Sequence, residues 1–131
     1  MTRFVVDASA VIHLASNGLE VSDTHELLAP TLLRSQTLSA LHEAVKGGEI
    51  PADVARDRLT RIRRMRIRLL GDAVLQRRAW DLADQLGWAS TYDAEYVALT
   101  QLQADALITL DPELARSIEG IVPTASIDAL R

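Results

Sequence analysis

The sequence contains no cysteine, which excludes disulfides and thiolate metal sites and fits a reducing compartment such as the cytoplasm. No uninterrupted apolar run approaches the ~20 residues needed to span a bilayer, so no membrane association is expected. The N-terminus lacks a basic segment followed by an apolar core and a small-residue cleavage site, so no secretion signal is read there. Internal repeats, low-complexity tracts and linkers rich in Pro, Gly or Ser are also missing. The 131 residues therefore read as one domain, 1–131, long enough to bury a real core. Apolar residues at 48% and charged residues at 24% are ordinary for a globular protein.

What is present is unevenly charged. The net charge of −4 conceals a split: between Arg56 and Arg78 nine arginines face only Asp57 and Asp72, a local balance of +7. The remainder holds five basic against sixteen acidic residues, a balance of −11. A basic patch on an acidic body points to a polyanion or an acidic partner, and the acidic body gives carboxylates somewhere to collect.

Strand and helix signals alternate along the chain. "RFVV" (3–6) is a β-branched run that reads as a buried strand. Ala8, Val11, Ile12 and Ala15 then keep helical spacing up to a stop at Asn17-Gly18. A second strand is expected to end near Leu28–Ala29, before Pro30, and the helix that follows stops at Gly47-Gly48. Pro51 falls in the first turn of another helix, whose stripe is Ala55, Leu59 and Ile62. "MRIRLL" (65–70) alternates as a strand does, with Met65, Ile67 and Leu69 on one face and Arg66 and Arg68 on the other.

A helix with Leu75, Ala79, Leu82, Ala83 and Leu86 comes next, ended by Gly87. It precedes a helix from about Thr91 to Gln103, the strand "ALITL" (106–110), a short helix opened by Asp111-Pro112 and a last strand at "IVP" (121–123). Strands separated by helices imply right-handed crossovers and a parallel sheet covered on both faces. The expected class is α/β, three layers, with a central parallel sheet.

Asp7 directly follows the first strand, and Asp111 directly follows "ALITL"; each opens a helix. Such positions lie at the carboxyl edge of a parallel sheet, where ligands bind. Asp93 falls in the first turn of "STYDAEYVALTQL", whose start belongs at the same edge. Three carboxylates from separated segments can therefore converge. Capping is a complete alternative for each: Asp is a favoured N-cap, and Ser90 with Asp93 has capping-box spacing. Only convergence would separate a site from three independent caps.

One further residue is out of pattern. The helix after Pro30 carries a stripe of Leu33, Thr37, Ala40, Leu41 and Ala44, and Gln36 lies inside it. An amide on an inward face calls for a reason.

Four blocks, "VVDASAVIHL", "APTLLRSQTLSAL", "TYDAEYVALTQL" and "ALITLDPELA", resemble the PIN-domain ribonucleases, in particular the VapC-type toxins of type II toxin–antitoxin systems. The resemblance runs from Phe4 to about Ala115, with the blocks in the family's order and spacing. It implies a PIN-like three-layer fold and an acidic pocket holding Mg²⁺ or Mn²⁺. It also implies hydrolysis of RNA to a 5′-phosphate and a 3′-hydroxyl, a homodimer, and a cognate antitoxin protein as silencing partner. On this pattern Asp7 matches the first acid, Asp93 the third and Asp111 the fourth, and these three are the implied metal ligands. The second acid is normally a glutamate six residues after the proline of "AP". Here that position is Gln36, and the departure implies weaker metal binding and slower catalysis with the fold intact. Glu43, seven residues on, is displaced by roughly 10 Å along the helix and does not substitute.

Ser9 and Thr109, beside the first and last acids, are candidates for hydrogen bonds to the ligands or to metal-bound waters; local backbone bonding at the strand ends is the alternative. Arg61, Arg64, Arg66 and Arg68, from the arginine run, are candidates for RNA-backbone contact, with a solvated surface or an acidic antitoxin tail as alternatives. His13, His25 and His42 show no ligand spacing. Trp80 and Trp88 are expected to pack, and Tyr96 either packs or lines the cleft. A catalytically degenerate PIN module that binds RNA or protein is the competing function. A phosphotransfer receiver domain is set aside because its paired N-terminal acids are absent.

Overall fold

The computed structural model describes residues 1–131. β1 (Thr2–Val6) leads into α1 (Ala8–Asn17), then β2 (His25–Pro30), α2 (Leu32–Lys46), α3 (Ala52–Arg64) and β3 (Ile67–Leu70). α4 (Ala73–Leu86) and α5 (Tyr92–Gln103) precede β4 (Ala106–Ile108), α6 (Pro112–Ser117), β5 (Thr124–Ala125) and a 3₁₀ turn at Ile127–Leu130. The five strands form one all-parallel sheet in the order β3-β2-β1-β4-β5.

That order decides where the helices lie. From β1 to β3 the chain moves in one direction across the sheet, and from β3 through β4 to β5 it moves in the other. Right-handed crossovers therefore put α1, α2 and α3 on one face, and α4, α5 and α6 on the opposite face. The result is the expected three-layer α/β/α architecture. The reversal falls between β1 and β4, and a crevice opens at the carboxyl ends of neighbouring strands where the connections depart to opposite faces.

The core is aliphatic. Val5, Val6, Leu28, Leu107 and Ile108 in the central strands are fully buried, as suits strands covered on both sides. α5 contributes Ala94, Tyr96, Val97, Ala98 and Leu99, and is the most deeply inserted helix. No helix is long and apolar enough to cross a membrane.

Several element boundaries are corrected. The last strand is Thr124–Ala125, displaced from the expected 121–123: Ile121 N–H donates back to the Ile118 carbonyl and closes a turn, whereas the Pro123 carbonyl already accepts from Leu107 N–H of β4 at 2.9 Å. β2 includes Pro30 as its final residue. Pro51 is the N-cap of α3 and not within its first turn. β3 begins at Ile67, with Met65 serving as the C-cap of α3, yet the expected alternation persists: Arg66 and Arg68 are exposed, and Met65, Ile67 and Leu69 are half-buried. β4 stops at Ile108, which frees Thr109 and Leu110 from the ladder. Trp88 packs on the core as expected, but Trp80 does not: it stands 65% exposed on the outer face of α4.

Candidate active site at the β1/β4 crevice

The site is built around Asp7, which is 7% exposed and N-caps α1. Its Oδ1 accepts from the Ser9 hydroxyl at 2.6 Å and from the Ala10 backbone N–H at 3.0 Å. Its Oδ2 accepts from the Thr109 hydroxyl. The same hydroxyl oxygens accept in turn from the next connection: Leu110 N–H donates to Ser9 Oγ at 3.0 Å, and Asp111 N–H donates to Thr109 Oγ1 at 3.1 Å. Ser9 and Thr109 thus clamp the carboxylate and sew the β1–α1 junction to the β4–α6 junction. An ionised carboxylate offers about four acceptor positions, and three are taken. One remains, on Oδ2.

Asp111 follows the same logic less completely. It N-caps α6, with Oδ1 accepting from Glu113 N–H at 3.0 Å and Leu114 N–H at 3.4 Å, and its Oδ2 has no partner in the fold. Asp93 departs from it. The N-cap of α5 is Thr91, and Ser90 Oγ accepts from Tyr92 N–H at 3.3 Å, so the capping box expected of Ser90 and Asp93 does not form. The Asp93 carboxylate accepts no hydrogen bond within the protein. Capping explains half of what Asp7 and Asp111 do and nothing of what Asp93 does.

The three carboxylates share one field. The Asp93 carboxyl is held above the usual aspartate range, first by partial desolvation, then by the charge of Asp111, then by that of Asp7. No arginine, lysine or histidine pairs with any of them; the four ion pairs of the protein lie elsewhere. Sharing a field is not the same as forming a cage. No three His, Asp or Glu side chains stand close enough to hold one ion jointly, so the expected three-aspartate ligand set is not preformed. The free oxygens, both of Asp93 and one of Asp111, suit a hard cation that keeps most of its waters and takes only one or two carboxylates.

Gln36 is half-buried on α2 at the same edge, and its Oε1 accepts from the Tyr96 hydroxyl at 2.6 Å. Tyr96 is 1% exposed, and its phenol is pushed far above the ordinary tyrosine value by burial first, then by Asp7, Glu95 and Asp93. It therefore stays a neutral donor, and the amide oxygen of Gln36 is committed to it. The inward amide is explained by this bond. Tyr96 both packs and reaches the cleft. Glu95, which sequence reasoning passed over, is a half-buried carboxyl raised by desolvation; its position one residue from Tyr96 was the available signal.

The arginine candidates are not brought to the acids. α3 ends at Arg64 and Arg66 directly precedes β3, so both sit at the amino edge of the sheet, a strand length of roughly 13 Å from the carboxyl edge. Arg61 pairs with Asp57 at 3.0 Å and donates to the Ala15 carbonyl at 3.2 Å, tying α3 to the end of α1. Arg68 lies 3.7 Å from Glu26. Arg64 and Arg66 are exposed and unpaired.

No family model and no curated protein matches the sequence. Among solved structures the chain is similar to PAE2754 from Pyrobaculum aerophilum, at 22% identity and a TM-score of 0.74, over 98% of this chain and 92% of that one. It is also similar to VapC20 of Mycobacterium tuberculosis, a sarcin-ricin loop cleaving toxin, at 14% identity and a TM-score of 0.61, over 87% of this chain and 94% of that one. At such identities the likeness is one of architecture: the all-parallel five-stranded sheet and its layer order give this chain the PIN-like three-layer α/β/α fold.

Proposed function

We propose that the protein is a metal-dependent endoribonuclease of the toxin–antitoxin type, acting at the β1/β4 crevice. The observation that supports this reading is the shared, cation-free field of Asp7, Asp93 and Asp111: the Asp93 carboxyl is raised by partial desolvation first, then by the charges of Asp111 and Asp7, and its oxygens accept no hydrogen bond. A fold has no structural use for such repulsion, whereas a divalent cation would relieve it. Asp93 and Asp111 would hold Mg²⁺ or Mn²⁺, with the free position of Asp7 Oδ2 accepting from its water shell. Bound there, the ion's chemistry would be charge against the phosphate and a water of lowered pKa.

The remaining work falls to the chain. Ser9, Ala10 and Thr109 lock Asp7 in one rotamer before any ligand arrives, so no ordering cost is met at that group. Hydrolysis adds the oxygen of water to phosphorus and breaks the bond to O3′, leaving a 5′-phosphate and a 3′-hydroxyl. A cognate antitoxin as silencing partner and a homodimer belong to the same reading.

Gln36 favours a second reading, a degenerate PIN module that binds RNA or protein without cutting it, because it brings no charge where the resemblance calls for a glutamate. One experiment separates the two: purified protein incubated with total RNA and excess Mg²⁺ or Mn²⁺, with calorimetric titration of each ion. Cleavage abolished by EDTA and by Asp93→Asn supports the nuclease. Intact RNA together with no heat of ion binding rejects it.

A further inference from the structure

We propose that the hollow beside Asp93 is a nucleobase pocket, receiving the base of an unpaired nucleotide next to the acidic crevice; it rests on the ribonuclease reading and adds to it the means of substrate selection. The hollow has a volume of about 460 Å³, and its walls include Gln36, Trp88, Ser90, Tyr92 and Asp93. Gln36 and Asp93 belong to the acidic site already described, so the hollow borders that site.

The wall chemistry selects the ligand class. No lysine or arginine lines the hollow, and Asp93 stands at its side, so a phosphate is repelled from it. A neutral group is required. Tyr92 is 57% exposed, a large aromatic face that the fold does not bury, and Trp88 lies half-buried across the same space. Aromatic faces of this kind take stacked bases.

Two donors complete the fit. The oxygen of Gln36 is occupied by Tyr96, which leaves both amide hydrogens without a partner in the fold. Ser90 Oγ accepts from Tyr92 N–H and keeps its own hydrogen free. A flat ring bearing carbonyl or ring-nitrogen acceptors matches two neutral donors beside an aromatic face.

The pocket is also preformed. α4 ends at Gly87, with φ of +70°, where Gly87 N–H donates to the Ala83 and Asp84 carbonyls and Trp88 N–H returns to the Ala83 carbonyl at 2.8 Å. This closed helix end fixes Gly87 and Trp88, and the Tyr92 N–H bond to Ser90 Oγ at 3.3 Å holds the far end of the wall. The arrangement gives Gln36 a purpose that a glutamate at the same position lacks, because a carboxylate has no hydrogens to donate.

The test is binding in EDTA, where no cleavage occurs. Adenosine, guanosine, cytidine and uridine are titrated into the ¹⁵N-labelled protein, with ribose as the base-free control, and the amide signals of residues 87–93 are followed by NMR. At least one nucleoside is expected to shift these signals while ribose does not. Tyr92→Ala is expected to weaken that nucleoside by about fivefold or more, and Tyr92→Phe to retain it. Tyr92 is largely exposed, so neither variant endangers the fold. Shifts equal to those of ribose, no shift with any nucleoside, or an unaltered affinity in Tyr92→Ala would each overturn the pocket. Nucleoside binding without metal-dependent cleavage rejects the nuclease reading alone, and cleavage without nucleoside binding rejects the pocket alone.

Discussion

Replacing Gln36 by glutamate sets two opposing terms against each other, and simple electrostatics gives each an order of magnitude. The Tyr96 hydroxyl, 2.6 Å from Oε1, would donate to a carboxylate instead of an amide. Charge assistance strengthens such a bond by about 1 kcal/mol. Against this, a fourth negative charge joins Asp7, Asp93 and Asp111, none of which has a cationic partner. In an open site with an effective dielectric of about 40 and separations on the order of 7 Å, each repulsion is about 1.2 kcal/mol. Screening at about 0.15 M salt roughly halves it, so three repulsions sum to about 2 kcal/mol. The metal-free variant is therefore less stable than wild type by about 1 kcal/mol, a fall of roughly 3–5 °C in Tm for a chain of this size.

A divalent cation reverses the sign. Its attraction to the new carboxylate, twice a single repulsion, tightens Kd for Mg²⁺ by roughly tenfold. The assay is thermal denaturation of both proteins in EDTA and in saturating Mg²⁺, with calorimetry for the ion. The variant should melt below wild type in EDTA and gain more than wild type from the ion. Equal melting in EDTA, or an unchanged Mg²⁺ affinity, would show that position 36 does not feel the acid cluster and would refute the electrostatic account.

The three aspartates should respond differently to neutralisation. Asp7→Ala removes a helix cap and takes the acceptor from the half-buried hydroxyls of Ser9 and Thr109, a loss of about 2 kcal/mol in chemical denaturation. Asp111→Ala removes only the cap of α6 and costs about 1 kcal/mol in the same measurement. Asp93→Asn should stabilise instead, by ~2 °C at neutral pH in EDTA, since a repulsion on the order of 0.5 kcal/mol at a solvent-screened group is relieved. That gain carries a pH signature. Because the folded Asp93 carboxyl titrates above its unfolded value, ionisation is disfavoured by the fold, and wild-type stability is lost as pH rises through the raised value. Melting curves of the two proteins should coincide below pH ~3.5, where both states are protonated, and diverge toward neutrality. Tyr96→Phe should cost about 1 kcal/mol, and a double-mutant cycle with Gln36→Leu should return most of that as coupling; additive effects would mean the bond contributes nothing.

The alternation of strands and helices and the carboxyl-edge placement of Asp7 and Asp111 were legible because they are local. A β-branched run that ends at an aspartate and passes into helical spacing already states which edge the aspartate occupies. Asp93 was placed at that edge by the same reasoning, but its lack of any capping bond was not legible: Ser90 and Asp93 have the right spacing, and only backbone geometry shows Thr91 taking the cap. Trp80 illustrates the opposite failure. Its size argues for burial, but α4 turns its Leu75, Ala79, Leu82 and Ala83 stripe inward and leaves position 80 outside.

By itself, the sequence determined the succession of parallel strands and crossing helices, and with it the segments that end at the carboxyl edge, since hydrophobic period and capping chemistry act over a few residues. Only the tertiary structure decided that β1 and β4 are neighbours and that their junctions are sewn together through Ser9 and Thr109. It alone joined Gln36 to Tyr96, sixty residues apart, and put Arg64 and Arg66 at the far edge of the sheet. Those outcomes depend on strand order and on side chains meeting across the core, contacts between segments whose separation along the chain leaves no local trace.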